Sequence, residues 1–312
     1  MLVERRIRSY QAPLHQYLCG GGKRAIEIAH RRWGKDEIAL AWTFQALTDR
    51  PATYWHCLPQ LNQARKAIWT AVNPHTGKRR IDEAFPVELR EVTNEQEMFI
   101  RFLNGATWQV IGSDTYDSLV GAGVAGIVFS EWALANPSAW GYLSPMMREN
   151  NGWALFITTP RGKNHAYDMF NHAVKSDDWY AEISDAKATG AFNDQQLDGI
   201  RDEYVALYGK DFGASQFEQE YLCSFEAAIL GSYYGGELAS ARSEGRICAV
   251  KHDPDLPVQT VWDIGYSDDT VILFVQVVAN EVRIIDTYSA NGQPLAHYAE
   301  VIASKDYNYS RH

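Results

Sequence analysis

The chain has 312 residues, 46% of them apolar and 12% aromatic, with ten tryptophans; so much apolar surface excludes intrinsic disorder and, as a prior, fits about two domains. The formal net charge of −10 argues against bulk affinity for nucleic acid, and no apolar run approaches the roughly 18 residues of a membrane helix. Cys19, Cys57, Cys223 and Cys248 form no CxxC pair, and the basic amino terminus is followed by no apolar core, so we expect no disulfide framework, no zinc ribbon and no signal peptide, in a reducing, cytosol-type compartment.

In chain order, residues 23–29 read as a short strand, followed by a loop and a helix from Asp36 to about Leu47. Residues 54–58 give a second strand and residues 60–72 a helix. Residues 98–103 and 107–112, joined by Asn104 and Gly105, carry a hairpin signal. The apolar runs 126–130 and 153–158 have the length and continuity of strands buried on both faces. Residues 165–174 read as helix, 179–183 as strand and 194–208 as an amphipathic helix ending at Gly209. Alternating strands and helices predict an α/β domain over residues 1–225, with a mostly parallel sheet and helices on both faces. Residues 226–258 read as a linker. Strands at 260–264, 271–278 and 282–286 and a helix from about Pro294 follow, placing a second unit at residues 259–312. At about 55 residues it is small for a core of its own.

Charge is uneven along the chain. Residues 1–50 hold nine Lys/Arg against five Asp/Glu, whereas residues 177–226 hold three against twelve and residues 251–312 four against nine. Basic groups thus concentrate at one candidate site. Ala29-His30-Arg31-Arg32-Trp33-Gly34-Lys35-Asp36 follows a strand and opens a helix, the setting in which backbone N–H groups and a lysine grip phosphate oxygens. Taken alone, the segment reads as a loop with basic surface residues, and its position and company raise the phosphate reading. Ala29 replaces the first glycine of a phosphate loop, and Asp36 stands where a Ser or Thr is usual. Glu131 ends the apolar run Ile127-Val128-Phe129-Ser130, where a carboxylate orients water or metal beside a phosphate. Thr158, Thr159 and Pro160 end the next strand, and Gln11 precedes the first, where its amide would read an adenine edge.

In this order, Tyr10-Gln11, Arg31-Arg32-Trp33-Gly34-Lys35-Asp36, Val128-Phe129-Ser130-Glu131 and Thr158-Thr159-Pro160-Arg161-Gly162 resemble the large terminase subunit of tailed bacteriophages, the ATP-driven DNA-packaging motor. The resemblance implies a P-loop ATPase domain followed by a ribonuclease H-like nuclease domain. It makes Gln11 the adenine contact, Arg31 and Lys35 phosphate-side catalytic groups, and Arg32, Trp33, Gly34 and Asp36 further parts of the ATP site. It makes Glu131 the catalytic carboxylate, and Thr158, Thr159 and Pro160 the motif coupling hydrolysis to DNA movement. Two positions depart from the family pattern: Ser130 replaces the usual Asp, and Asp36 replaces the usual hydroxyl. Asp36 retains the chemistry to hold Mg²⁺.

In the second unit Asp263 lies mid-strand, where an acid is costly unless paired or metal-bound. The strand–turn–strand–turn–strand–helix order resembles the nuclease fold of terminases, in which paired Mg²⁺ or Mn²⁺ ions cleave phosphodiesters. Asp263 is then the main metal ligand, with Asp268 and Asp286 as weaker oxygen ligands. The remaining family ligands are expected beyond His312, so the nuclease half reads as incomplete. Lys78, Arg79 and Arg80 are candidate contacts to the DNA backbone. The implied partners are double-stranded DNA, a portal protein, a small terminase subunit and further copies of the chain in a ring on the portal. No membrane is implied. The implied location is the cytoplasm of an infected bacterium, outside the mature virion. Two other readings stay open: a packaging subunit that binds nucleic acid without hydrolysis, and a helicase-like ATPase without nuclease activity.

Overall fold

A computed structural model describes residues 7–119, 123–226, 235–265 and 269–311. The chain divides into two compact units between residues 235 and 236, inside the segment expected to be linker, which also carries the helix Gly235–Ser243.

The first unit is built on an eight-stranded sheet of β1 (Arg24–Ala29), β2 (Thr53–Leu58), β3 (Arg90–Asn94), β4 (Phe99–Phe102), β5 (Thr107–Gly112), β6 (Val124–Ser130), β7 (Trp153–Thr158) and β8 (Trp179–Ser184). Their spatial order is β3-β4-β5-β2-β6-β7-β1-β8. The six strands from β5 to β8 along this order pair in parallel, and β3 and β4 extend the edge antiparallel. The mostly parallel α/β architecture is therefore present. Strands β6 and β7 are buried along their whole length, as a parallel sheet covered on both faces requires. They approach so closely that a Cβ at Gly126 would lie 2.3 Å from the Trp153 ring.

Alternation along β1 sorts the two cores. Ala25 and Ala29 pack in the cluster containing Leu14 and Leu18 of α1 (Ala12–Cys19) and Ile38, Ala39 and Trp42 of α2 (Lys35–Asp49). Ile26 and Ile28 point to the opposite cluster, with Phe129, Phe156 and the Ala139, Leu143 and Met147 stripe of the helix Ser138–Glu149. Each large apolar side chain buried in this way contributes about 1.5–3 kcal/mol. The helix expected over 60–72 is shorter than anticipated: Leu61–Ala64 runs into a wide turn at Arg65–Trp69.

The second unit is a four-stranded sheet in the order β11-β10-β9-β12, formed by β9 (Val258–Asp263), β10 (Thr270–Val278), β11 (Glu281–Ala290) and β12 (Tyr309–Arg311). Strands β9, β10 and β11 are antiparallel, whereas β12 runs parallel to β9. Tyr298 of the helix Leu295–Ser304 packs with Val258, Ile272 and Phe274 to form its small core.

Glu27 is fully buried in mid-β1, in register with Glu182 of β8. Burial pushes its carboxyl well above the ordinary range and Glu182 adds to the shift. A raised folded value means that stability falls as pH climbs from the unfolded carboxylate value, about 4.3, towards the folded one. Glu27→Gln should therefore lose less melting temperature than the wild type between pH 5 and pH 8. Equal losses in the two proteins would show that Glu27 does not titrate differently on folding.

Candidate functional site

Because β7 lies between β6 and β1, the carboxyl ends of all three strands meet at one sheet edge. The loop leaving β1 is held from outside by the amino-terminal segment. Gln11 Nε2 and Arg8 Nη1 donate to the Trp33 carbonyl at 2.9 and 2.7 Å, and Gln11 Oε1 accepts from the Arg8 N–H at 3.1 Å. Gln11 lines the cleft, and its amide holds the loop, Nε2 also lying 3.4 Å from the Gly34 carbonyl, while one lone pair of Oε1 has no partner among the described residues. Trp33 is fully buried beneath Tyr10, the ring centroids 5.6 Å apart. Gly34 has φ +90°, and a Cβ there would come within 2.7 Å of Arg8 Nη1 and 2.9 Å of Gln11 Nε2. Only glycine meets both conditions. Arg32 is exposed and takes a left-handed φ of 67°.

Lys35 opens α2 and turns its ammonium back over the loop. Nζ donates to the Ala29 carbonyl at 3.0 Å, to the His30 carbonyl at 3.3 Å and to Thr159 Oγ1 at 2.9 Å. Burial lowers its pKa, opposed by the charges of Glu131 and Asp36. Thr159 in turn donates to the same Ala29 carbonyl at 3.0 Å. Thr158 is buried, accepts from the Ala133 N–H at 3.1 Å, and precedes a buried Pro160. The loop after β1 and the Thr158-Thr159-Pro160 turn are thus joined through Lys35 and Thr159.

Glu131 follows β6 in a left-handed conformation, φ 53°, which is strained for a side chain with a Cβ and is found where a site fixes a group. Burial raises its carboxyl, opposed by Lys35 and helped by Asp36. Asp36 Oδ1 accepts from Ser130 Oγ at 2.7 Å and from His56 Nε2 at 3.2 Å. Burial works to raise the Asp36 carboxyl, yet the His56 and Ser130 hydrogen bonds and the Lys35 charge outweigh it and hold it below the ordinary range. Arg31, Gly34, Lys35, Asp36, Glu131 and Thr159 line a cleft of about 1510 Å³, roomy enough for a nucleotide.

Residues 25–240 match the family described as terminase large subunit, T4likevirus-type, N-terminal. The chain belongs to this terminase family. It is 28% identical over 163 residues to the terminase large subunit of Thermus phage G20c, covering 47% of this chain and 33% of that protein. To the terminase large subunit of Escherichia phage T5 it is 21% identical over 277 residues, covering 86% and 58%. The chain therefore spans between one third and three fifths of these relatives' lengths. Its fold is similar to the large terminase ATPase domain of Thermus phage P74-26, with a TM-score of 0.56, 20% identity and coverage of 72% of this chain and 96% of that one. It is also similar to the large terminase of a thermophilic bacteriophage in complex with ADP, with a TM-score of 0.54, 12% identity and coverage of 95% and 73%.

Other expected terminase residues are placed differently. Arg79 is paired with Asp82 and Glu95, each at 2.9 Å, so it closes a turn and is not free for a DNA backbone. Arg80 lines the same cleft, and Lys78 is exposed. In the second unit, Asp263 pairs in register with Val271 and Asp286 with Phe274. Residues an odd number apart on one strand face opposite sides, so Asp263 and Asp286 lie on opposite faces of the sheet. The Asp286 carboxylate is moreover taken by Lys305 and by the Tyr307 hydroxyl. The structure therefore does not bring Asp286 to Asp263 as a second ligand. Asp268 falls outside the described residues. Among the described residues no three His, Cys, Asp or Glu side chains converge on a metal position, and no helix is long and apolar enough to cross a membrane.

Glu220 carries a role that its sequence does not signal. From the helix Lys210–Tyr221 its buried carboxylate holds Arg31 Nε at 2.5 Å and also binds Arg161, just beyond the Thr158-Thr159-Pro160 turn. Burial works to raise the carboxyl, but Arg161 and Arg31 outweigh it and hold it below the ordinary range. A lowered folded value contributes stability above the unfolded carboxylate pKa and loses it as pH falls through the folded one. Glu220→Gln should therefore destabilise the chain by about 1–3 kcal/mol at pH 7, a difference that shrinks below about pH 4. Urea unfolding at the two pH values measures it. An equal deficit at both would assign the effect to packing.

Proposed function

We propose that this terminase chain binds ATP in the cleft at the carboxyl edge of β1, β6 and β7 and hydrolyses it to drive double-stranded DNA into a procapsid. The observation that carries the reading is the Lys35–Thr159 hydrogen bond at 2.9 Å, which ties the phosphate-binding loop to the strand whose turn is expected to couple hydrolysis to DNA movement. The backbone N–H groups at the start of α2 and the Lys35 ammonium bind and orient the phosphates. Arg31, with more than half of its side chain exposed, adds positive charge beside them. Glu131, its carboxyl raised by burial, orients the attacking water and accepts its proton.

The donor chemistry at Asp36 and Ser130 fits Mg²⁺, a hard cation that takes oxygen ligands. When bound with nucleotide, Mg²⁺ neutralises phosphate charge. Double-stranded DNA, a portal protein, a small terminase subunit, a ring of copies on the portal and a location in the infected cell's cytoplasm complete the reading as proposals. No DNA cleavage is proposed for Asp263 with Asp286, because they face opposite sides of their sheet.

Lys35→Ala should abolish ATP hydrolysis by removing the phosphate counter-charge. Glu131→Gln should keep ATP binding and lose turnover by about two to four orders of magnitude. Steady-state hydrolysis combined with equilibrium binding of a fluorescent ATP analogue tests both. Wild-type turnover in either variant would move the active site elsewhere.

A further inference from the structure

In P-loop ATPases the nucleotide's metal is held by a hydroxyl that follows the loop lysine and by a carboxylate that ends a neighbouring strand. Here the two chemistries stand at each other's positions. Asp36 follows Lys35, and Ser130 ends β6. The exchange is reciprocal in space as well as in sequence, since Ser130 Oγ donates to Asp36 Oδ1 at 2.7 Å.

A third side chain joins them. His56, fully buried in mid-β2, donates from Nε2 to the same Asp36 Oδ1 at 3.2 Å. Both hydrogen bonds fall on Oδ1, and among the described residues none falls on Oδ2. The carboxylate is thereby clamped by one oxygen while the other stays open beside the cleft that Asp36 lines. A ligating carboxylate is held in this way by its outer partners, whose loss typically costs 10–100-fold in metal affinity.

Resting on the ATP-binding reading above, we infer that Asp36 and Ser130 have exchanged places as one metal-gripping pair. Asp36 Oδ2 is the carboxylate ligand, Ser130 is the hydroxyl member, and His56 is the positioning residue that fixes Asp36.

The test uses Mn²⁺ in place of Mg²⁺. The whole chain is titrated with Mn²⁺ in the presence of a non-hydrolysable ATP analogue, and free Mn²⁺ is read by electron paramagnetic resonance, with a thermal melt to check that each variant is folded. Asp36→Ser and the near-isosteric Asp36→Asn should each weaken Mn²⁺ binding by about 10–100-fold. Adding Ser130→Asp to Asp36→Ser restores the pair in its usual orientation and should recover at least about tenfold of that loss. His56→Leu should weaken Mn²⁺ binding by about tenfold, and His56→Asn, which keeps a donor, by less. A folded Asp36→Asn chain that holds Mn²⁺ as tightly as the wild type overturns the inference, as does a folded double variant no better than Asp36→Ser. A wild-type chain that binds no analogue, with or without metal, instead overturns the ATP-binding reading beneath it.

Discussion

The Lys35 ammonium is a cation in largely desolvated surroundings, and such a charge is tolerated only when oxygen atoms surround it. The Ala29 and His30 carbonyls and the Thr159 hydroxyl supply those atoms, while Glu131 and Asp36 supply the opposing charge. The rest of the edge is organised by this need. The loop must turn so that the Ala29 and His30 carbonyls at its start face Lys35, a path that includes the positive φ of Gly34 and the anchoring of Trp33 by Gln11 and Arg8. Strand β7 must end beside β1 so that Thr159 can close the cage, and the register that pairs Ile28 with Thr158 places it there.

A second layer of ion pairs ties this cage to its surroundings. Glu220 binds Arg31 of the loop and Arg161, just beyond the Thr158-Thr159-Pro160 turn, with one carboxylate, and the Arg31 N–H also donates to the Glu220 carbonyl at 2.9 Å. Three segments distant in sequence therefore share one anchor. The helix Lys210–Tyr221 carries that anchor.

Much of this was legible in the sequence because the strands that position the site are buried on both faces and read as continuous apolar runs. The runs ending at Ser130 and Thr158 lie within one or two residues of β6 and β7. Elements whose burial is one-sided were less visible. The helix Ser138–Glu149 is obscured by Gly141 and Pro145, although Ala139, Leu143 and Met147 recur at a helical spacing of four. In α1, Leu14 and Leu18 keep the same spacing, too short a signal on its own. Glu220 and His56 were not legible as site residues, since one is an acid on an acidic helix and the other a histidine inside a strand. Their roles come from contacts spanning 189 and 20 residues of sequence. Gln11 lines the cleft, and its amide answers the loop's carbonyls. Asp263 and Asp286 looked like companions until the strand pairing set them on opposite faces.

In the proposed function the phosphates of ATP bind the loop between β1 and α2, facing Lys35 and Glu131. A crystal structure of the chain with a non-hydrolysable ATP analogue and Mg²⁺ tests it most directly. Terminal phosphate oxygens are expected within about 3 Å of Lys35 Nζ and of the N–H groups at the start of α2, with Glu131 facing the terminal phosphate. An analogue seated elsewhere, or one whose phosphates point away from Lys35, would contradict it.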